Sequence, residues 1–156
     1  MSTPRSRHTL DTFFIITFVA FAVTSFLFDR TGALDTIGPD SSDPFARAIY
    51  WYGVRWDPLI VANPLFLQVM SGISAFVFGP LYLILAWGLY HRRPWFRTPA
   101  VVWAWLMLYS MVVHVAVELW GDHPPPDLLV FVAVYAFYVV APVLLLLHLR
   151  EPSVDR

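Results

Sequence analysis

Apolar residues run along the chain in four long blocks, Thr12 to Phe28, Leu65 to Tyr90, Thr98 to Trp120 and Leu128 to Leu149, which together hold one formally charged residue, Glu118. A spanning helix needs about 20 predominantly apolar residues, because each residue rises ~1.5 Å through ~30 Å of hydrocarbon. The first block is slightly short of the mean requirement and the second exceeds it. The pattern predicts an all-α fold: a polytopic membrane four-helix bundle with spans at 12–28, 65–90, 98–120 and 128–149, between an N-terminal tail 1–11 and a C-terminal tail 150–156. Asp29-Arg30-Thr31 follows the first block where a cleavable signal would carry small residues, so that block is expected to be a permanent helix.

The segment Asp29 to Pro64 is the longest connection, and connections of that length are seldom structureless unless functional or disordered. Asp43-Pro44 reads as an N-cap followed by proline at the first helical position. Phe45, Ala48, Ile49 and Tyr52 then fall at i, i+3, i+4 and i+7. This predicts a short amphipathic helix in the first extramembrane loop, with Trp51, Tyr52 and Trp56 at the membrane interface. Pro80, preceded by Gly79, and Pro142 are expected to kink the second and fourth spans.

Composition agrees with a membrane protein: 58% hydrophobic residues against about 45–50% in soluble domains, and only 13% charged. The net charge of −1 excludes a strongly basic nucleic-acid surface, and no nucleic-acid partner is expected. All ten basic residues are arginine. Arg5, Arg7, Arg92, Arg93, Arg97, Arg150 and Arg156 fall on one side of the predicted spans, against Arg30, Arg47 and Arg55 on the other. The positive-inside rule then places both termini in the cytoplasm. The absence of cysteine removes disulfides, thiolate metal sites and cysteine nucleophiles. Paired-histidine zinc motifs, phosphate-binding glycine loops and nucleophile elbows are also missing, so neither metal nor cofactor is expected.

A carboxylate within a spanning helix costs roughly 2.5–3.5 kcal/mol to insert and usually faces a cavity or a partner. Glu118 is therefore the most informative residue, although it lies close enough to its helix end to reach the interface. His114, one turn earlier, shares its face and is within hydrogen-bonding range on a helix. Asp29 ends the first span, Asp57 precedes the second, Ser71 and Ser74 lie at similar depth in the second, and Tyr135 lies about two turns into the fourth. All converge on the outer level, whereas the cytoplasmic depth reads as aliphatic and aromatic. Two carboxyl groups sharing a low-dielectric site cannot both ionise easily, so such a pair can bind a cation or donate a proton.

Several strings resemble the EXPERA family, which includes the sterol Δ8-Δ7 isomerase emopamil-binding protein and the sigma-two receptor. They are Trp51-Tyr52, Asp57-Pro58-Leu59, Gly79-Pro80-Leu81, Trp95-Phe96-Arg97-Thr98-Pro99-Ala100, Val134-Tyr135-Ala136-Phe137-Tyr138 and Pro142. The similarity extends over roughly Thr12 to His148 and looks closest to the sigma-two branch. It implies a four-helix bundle with a pocket, open laterally to lipid, for sterols or lipophilic amines. Asp29 matches the family's acidic residue at the end of the first helix, and Asp57 the loop aspartate that supports it. Glu118 matches the isomerase branch and Tyr135 the sigma-two branch. Two departures stand out, since the family's pocket glutamate falls on Ser71 and the isomerase histidine near Ser25.

From the residues and the resemblance together, the expected ligand-binding set is Asp29, Asp57, Ser71, His114, Glu118 and Tyr135, with Asp29 and Glu118 as the catalytic acid and base if the protein is an enzyme. The first expectation is a membrane binding protein for sterol-like or other lipophilic molecules, including cationic amphiphiles. The alternative is a sterol isomerase or related lipid-modifying enzyme. Membrane lipids and a second copy of the chain, as a homodimer, complete the candidate partners.

Overall fold

The computed structural model describes residues 4–150, with side chains from His8 onward. The tail residues 151–156, with Arg156, and the side chains of Arg5 and Arg7 lie outside the described residues. Helix α1 is the α-helix Pro4–Thr24, which widens into a π-helical turn, Ser25–Asp29, and ends in a last α-turn, Arg30–Ala33. It begins in what the sequence suggested was a tail, and its apolar span is His8–Ala33. Helix α2 is Pro44–Trp56 and α3 is Pro58–Ala62. Helix α4 comprises Leu65–Ile73, a second π-turn Ser74–Phe78, and Gly79–Tyr90. After a 3₁₀ turn at Pro94–Phe96 come α5, Arg97–Trp120, and α6, Leu128–Arg150. Four helices are long and apolar enough to cross a membrane, and among the described residues there is no strand.

The outward surface is what makes this a membrane fold. Tyr109 and Val112 are each 70% exposed and Leu129 is 79% exposed, amid many other outward aliphatic side chains. Helices apolar all round have no water-facing side, and their backbone polar groups are satisfied internally, as hydrocarbon requires.

Backbones approach most closely within two pairs, α1 with α4 and α5 with α6. Where Arg30–Ala33 meets Leu65–Ile73, the α1/α4 contact includes small residues. A Cβ on Gly32 would stand 3.0 Å from the Ser71 hydroxyl, and Gly72 faces Ala33. Small side chains let membrane helices approach where no hydrophobic force drives them together. Between the pairs, aromatic side chains fill the space: Phe21 stacks on Tyr138 at 5.0 Å, while Phe18 and Tyr82 meet Trp103 edge-on at 5.2 and 5.7 Å. Each such pair contributes about 0.5–1.5 kcal/mol beyond burial.

The two prolines act differently. Pro80 lacks an N–H and its ring crowds the preceding turn; the π-turn Ser74–Phe78 lies immediately before Gly79-Pro80. Pro142 is buried within α6, which stays α-helical around it. At the end where α1 starts and α6 finishes, His148 Nε2 lies 2.8 Å from Asp11 Oδ1. This interhelical polar contact sits at a depth the sequence suggested was purely apolar.

The predicted loop helix is present as α2. Asp43 accepts from the Phe45 N–H at 2.9 Å, Pro44 follows at the first helical position, and Arg30 binds the other Asp43 oxygen at 2.6 Å. The same Asp-Pro logic recurs unannounced at Asp57-Pro58 and starts α3. Asn63 then takes a left-handed conformation (φ 40°) and donates to Gly32 O at 3.0 Å and Asp35 Oδ1 at 2.8 Å. These bonds hold the loop over the end of the bundle where α1 finishes and α6 starts.

Candidate intramembrane binding site

Two polar clusters lie at that end. The first is built by the facing π-turns of α1 and α4. Ser74 donates to Asp29 Oδ2 at 2.5 Å, and the Ser25 and Ser74 hydroxyls are 3.0 Å apart. The wide turns rotate these side chains toward each other, a common use of π-bulges at functional sites. Ser71, the position matched to the family glutamate, is instead one turn away against Gly32. Ser74 is thus the hydroxyl that serves Asp29.

The second cluster joins the loop to α5 and α6. Asp57 is wholly buried at the α2–α3 junction, where Oδ1 caps the Ile60 N–H at 3.4 Å and Oδ2 accepts from the Tyr135 hydroxyl at 2.5 Å. Glu118 is also wholly buried and lies within electrostatic reach of Asp57. Neither Glu118 oxygen has a donor among the described residues. Two carboxyl groups can bond each other only through a shared proton. His114 packs its ring against Tyr135, with centroids 4.6 Å apart. Its Nε2 remains 3.6 Å from Glu118 Oε1, too far for the hydrogen bond the helical spacing allowed.

Tyr52, read from sequence only as an interfacial aromatic, belongs to this cluster. Its buried hydroxyl has no hydrogen-bond partner among the described residues, and burial first, then the fields of Asp57 and Glu118, push it up to about 12. It is therefore a neutral donor at physiological pH. Tyr138, one turn beyond Tyr135, lies within electrostatic reach of both Asp29 and Tyr52 and stands between the clusters. The shared face of Tyr135 and Tyr138 was available in the sequence as an i, i+3 spacing.

The sequence-expected residues therefore divide. Asp57, Glu118, Tyr135 and His114 are brought together; Asp29 sits with Ser25 and Ser74, and Ser71 lines the α1/α4 contact. Asp29 and Glu118, the expected acid and base, have different partners: Ser74 for one, Asp57 for the other. No cluster of three or more metal-ligating side chains exists among the described residues.

The class is a polytopic helical membrane protein that buries an acidic cluster near one end of its bundle. The family model EXPERA (EXPanded EBP superfamily) matches residues 44–149, and the chain belongs to that family. No curated protein matches the chain. The matched region includes Asp57, Ser71, His114, Glu118 and Tyr135, whereas Asp29 and Ser25 precede it. Family membership and the four apolar helices together fit a sterol-binding or isomerase-like membrane protein.

Proposed function

We propose that the chain binds sterol-like or other lipophilic small molecules, cationic amphiphiles among them, at the end of the bundle that carries its acidic clusters. The observation that carries this reading is Glu118, a wholly buried carboxyl with no donor to either oxygen among the described residues and Asp57 within electrostatic reach. A buried acceptor without a donor costs about 1–3 kcal/mol, more when charged, and a ligand ammonium or hydroxyl offsets that cost. Asp29, with its two serine hydroxyls, provides a second acidic anchor. Tyr135 at the position characteristic of the sigma-two branch supports binding without turnover.

An isomerase is the second reading, and the burial of Asp57 and Glu118 within electrostatic reach of each other favours it. Moving a ring double bond requires a carboxylic acid to protonate one olefinic carbon, which leaves a cation on the other, and a carboxylate to remove a proton from the allylic carbon beyond that cation, with no net gain or loss of atoms. Asp57 and Glu118 replace the expected Asp29 and Glu118 in those roles.

The test is equilibrium binding of a radiolabelled lipophilic amine and a neutral sterol to the purified protein, with Δ8-sterol turnover followed in parallel by mass spectrometry. Glu118→Gln is expected to weaken both ligands, and Asp29→Asn to weaken the amine by orders of magnitude while sparing the sterol. Wild-type conversion of the Δ8 sterol would replace the first reading with the second. Saturable binding of neither ligand would remove both.

A further inference from the structure

We propose that the groove between the start of α5 and the end of α6 seats one anionic phospholipid, with its phosphate between Arg97 and Arg150 and part of an acyl chain along Val101, Trp105, Leu146 and Leu149. These six residues line a depression of about 210 Å³ at the end of the bundle opposite the acidic clusters. That volume is below the roughly 300–1,000 Å³ of small-molecule pockets, which suits a strip of hydrocarbon lying on the protein rather than an enclosed ligand.

The groove is two-part in chemistry. Arg97 and Arg150 are exposed, and neither makes a salt bridge among the described residues. Val101 and Trp105 follow Arg97 at four-residue steps, so one face of α5 runs from a cation at the helix end to an apolar wall deeper in the membrane. Leu146, Leu149 and Arg150 repeat that order on α6. A headgroup phosphate above an acyl chain has the same polarity profile, and arginine forks match phosphate oxygens bidentately.

The surrounding charge points to the same occupant. Arg92 and Arg93 lie in the adjacent turn, the latter over the Trp87 ring at 5.0 Å. The acidic group described at this end, Asp11, is engaged by His148. A zwitterionic lipid would bring its own cation into this field, whereas an anionic lipid brings none.

The experiment is native mass spectrometry of the full chain in detergent, titrated with phosphatidylglycerol or with phosphatidylcholine of the same acyl chains. One phosphatidylglycerol should be retained preferentially. Arg97→Gln and Arg150→Gln, at exposed positions, should each weaken retention roughly fivefold. Val101→Trp should displace the lipid with no change of charge, and Arg92→Gln, outside the groove but within its field, should weaken retention clearly less than Arg97→Gln does. Equal retention of both lipids, or an Arg92→Gln loss equal to that of Arg97→Gln, would overturn the proposal in favour of no site or of diffuse charge. Glycerol phosphate binding as tightly as the diacyl lipid would also overturn it, because the acyl seat would then contribute nothing.

Discussion

Replacing Tyr135 with phenylalanine isolates the bond that couples the loop to α6. The ring keeps its neighbours, His114 at 4.6 Å and Phe131 at 4.8 Å, so the substitution removes only the hydroxyl. That hydroxyl donates to Asp57 Oδ2 at 2.5 Å, and Asp57 is wholly buried. What remains to the Asp57 side chain among the described residues is the long 3.4 Å cap from Ile60 N–H. Hydrogen bonds to charged groups contribute about 1.5–3 kcal/mol. For a chain of this size 1 kcal/mol moves Tm by about 2–4 °C, so Tyr135→Phe should lower it by about 3–12 °C. Thermal unfolding in nanodiscs, with Asp57→Asn and the double variant completing the cycle, measures the coupling. Asparagine still caps α3, so Asp57→Asn tests the tyrosine bond without dissolving the helix start. The double variant should lose less than the sum of the single losses, because both remove one interaction. A Tyr135→Phe protein within about 1 °C of wild type, or strictly additive losses, would refute this account.

Gly121→Ala should destabilise by more than about 1 kcal/mol, because a Cβ there would collide with the Val117 carbonyl oxygen, which is backbone and cannot rotate aside; Tm in detergent checks it. Asp43 is held below its usual 3.8 by the Phe45 N–H first and by Arg30 after it. Since the folded value is depressed, its stabilising contribution is complete above 3.8 and lost as pH falls through the folded value. Exchange protection of the first α2 amides, corrected for intrinsic rates, should therefore decline only below about pH 3.8, and Asp43→Ala should remove that dependence. Reporter fusions after Arg156 and near Asp40 should read opposite compartments, with the terminus cytoplasmic; the same compartment for both would contradict the arginine-based topology.

Spanning helices are legible in a sequence because hydrocarbon imposes one rule everywhere: backbone polar groups must pair within the segment, and side chains must be apolar for ~30 Å. The four blocks, the Asp43-Pro44 start of α2 and the arginine asymmetry follow from that rule or from bonds only a few residues apart. Asp57-Pro58 carried the same local signal for α3. The polar level at one end of the bundle was also legible, since charge within an apolar run is costly wherever it occurs.

Which polar groups meet was decided by tertiary structure. The choice of Ser74 over Ser71 as the partner of Asp29 depends on two π-turns, and one extra residue per turn shifts a helix face by about 100° without changing composition. Asp57, Glu118 and Tyr135 come from a loop and two helices up to 78 residues apart, and their contact depends on how α5 and α6 pack beneath α2 and α3. Asp11 and His148 are 137 residues apart and meet because α1 and α6 bring chain-distant ends together. Periodicity describes one element at a time, whereas these distances are set by aromatic side chains such as Phe21, Trp103 and Tyr138 that fix the spacing between elements.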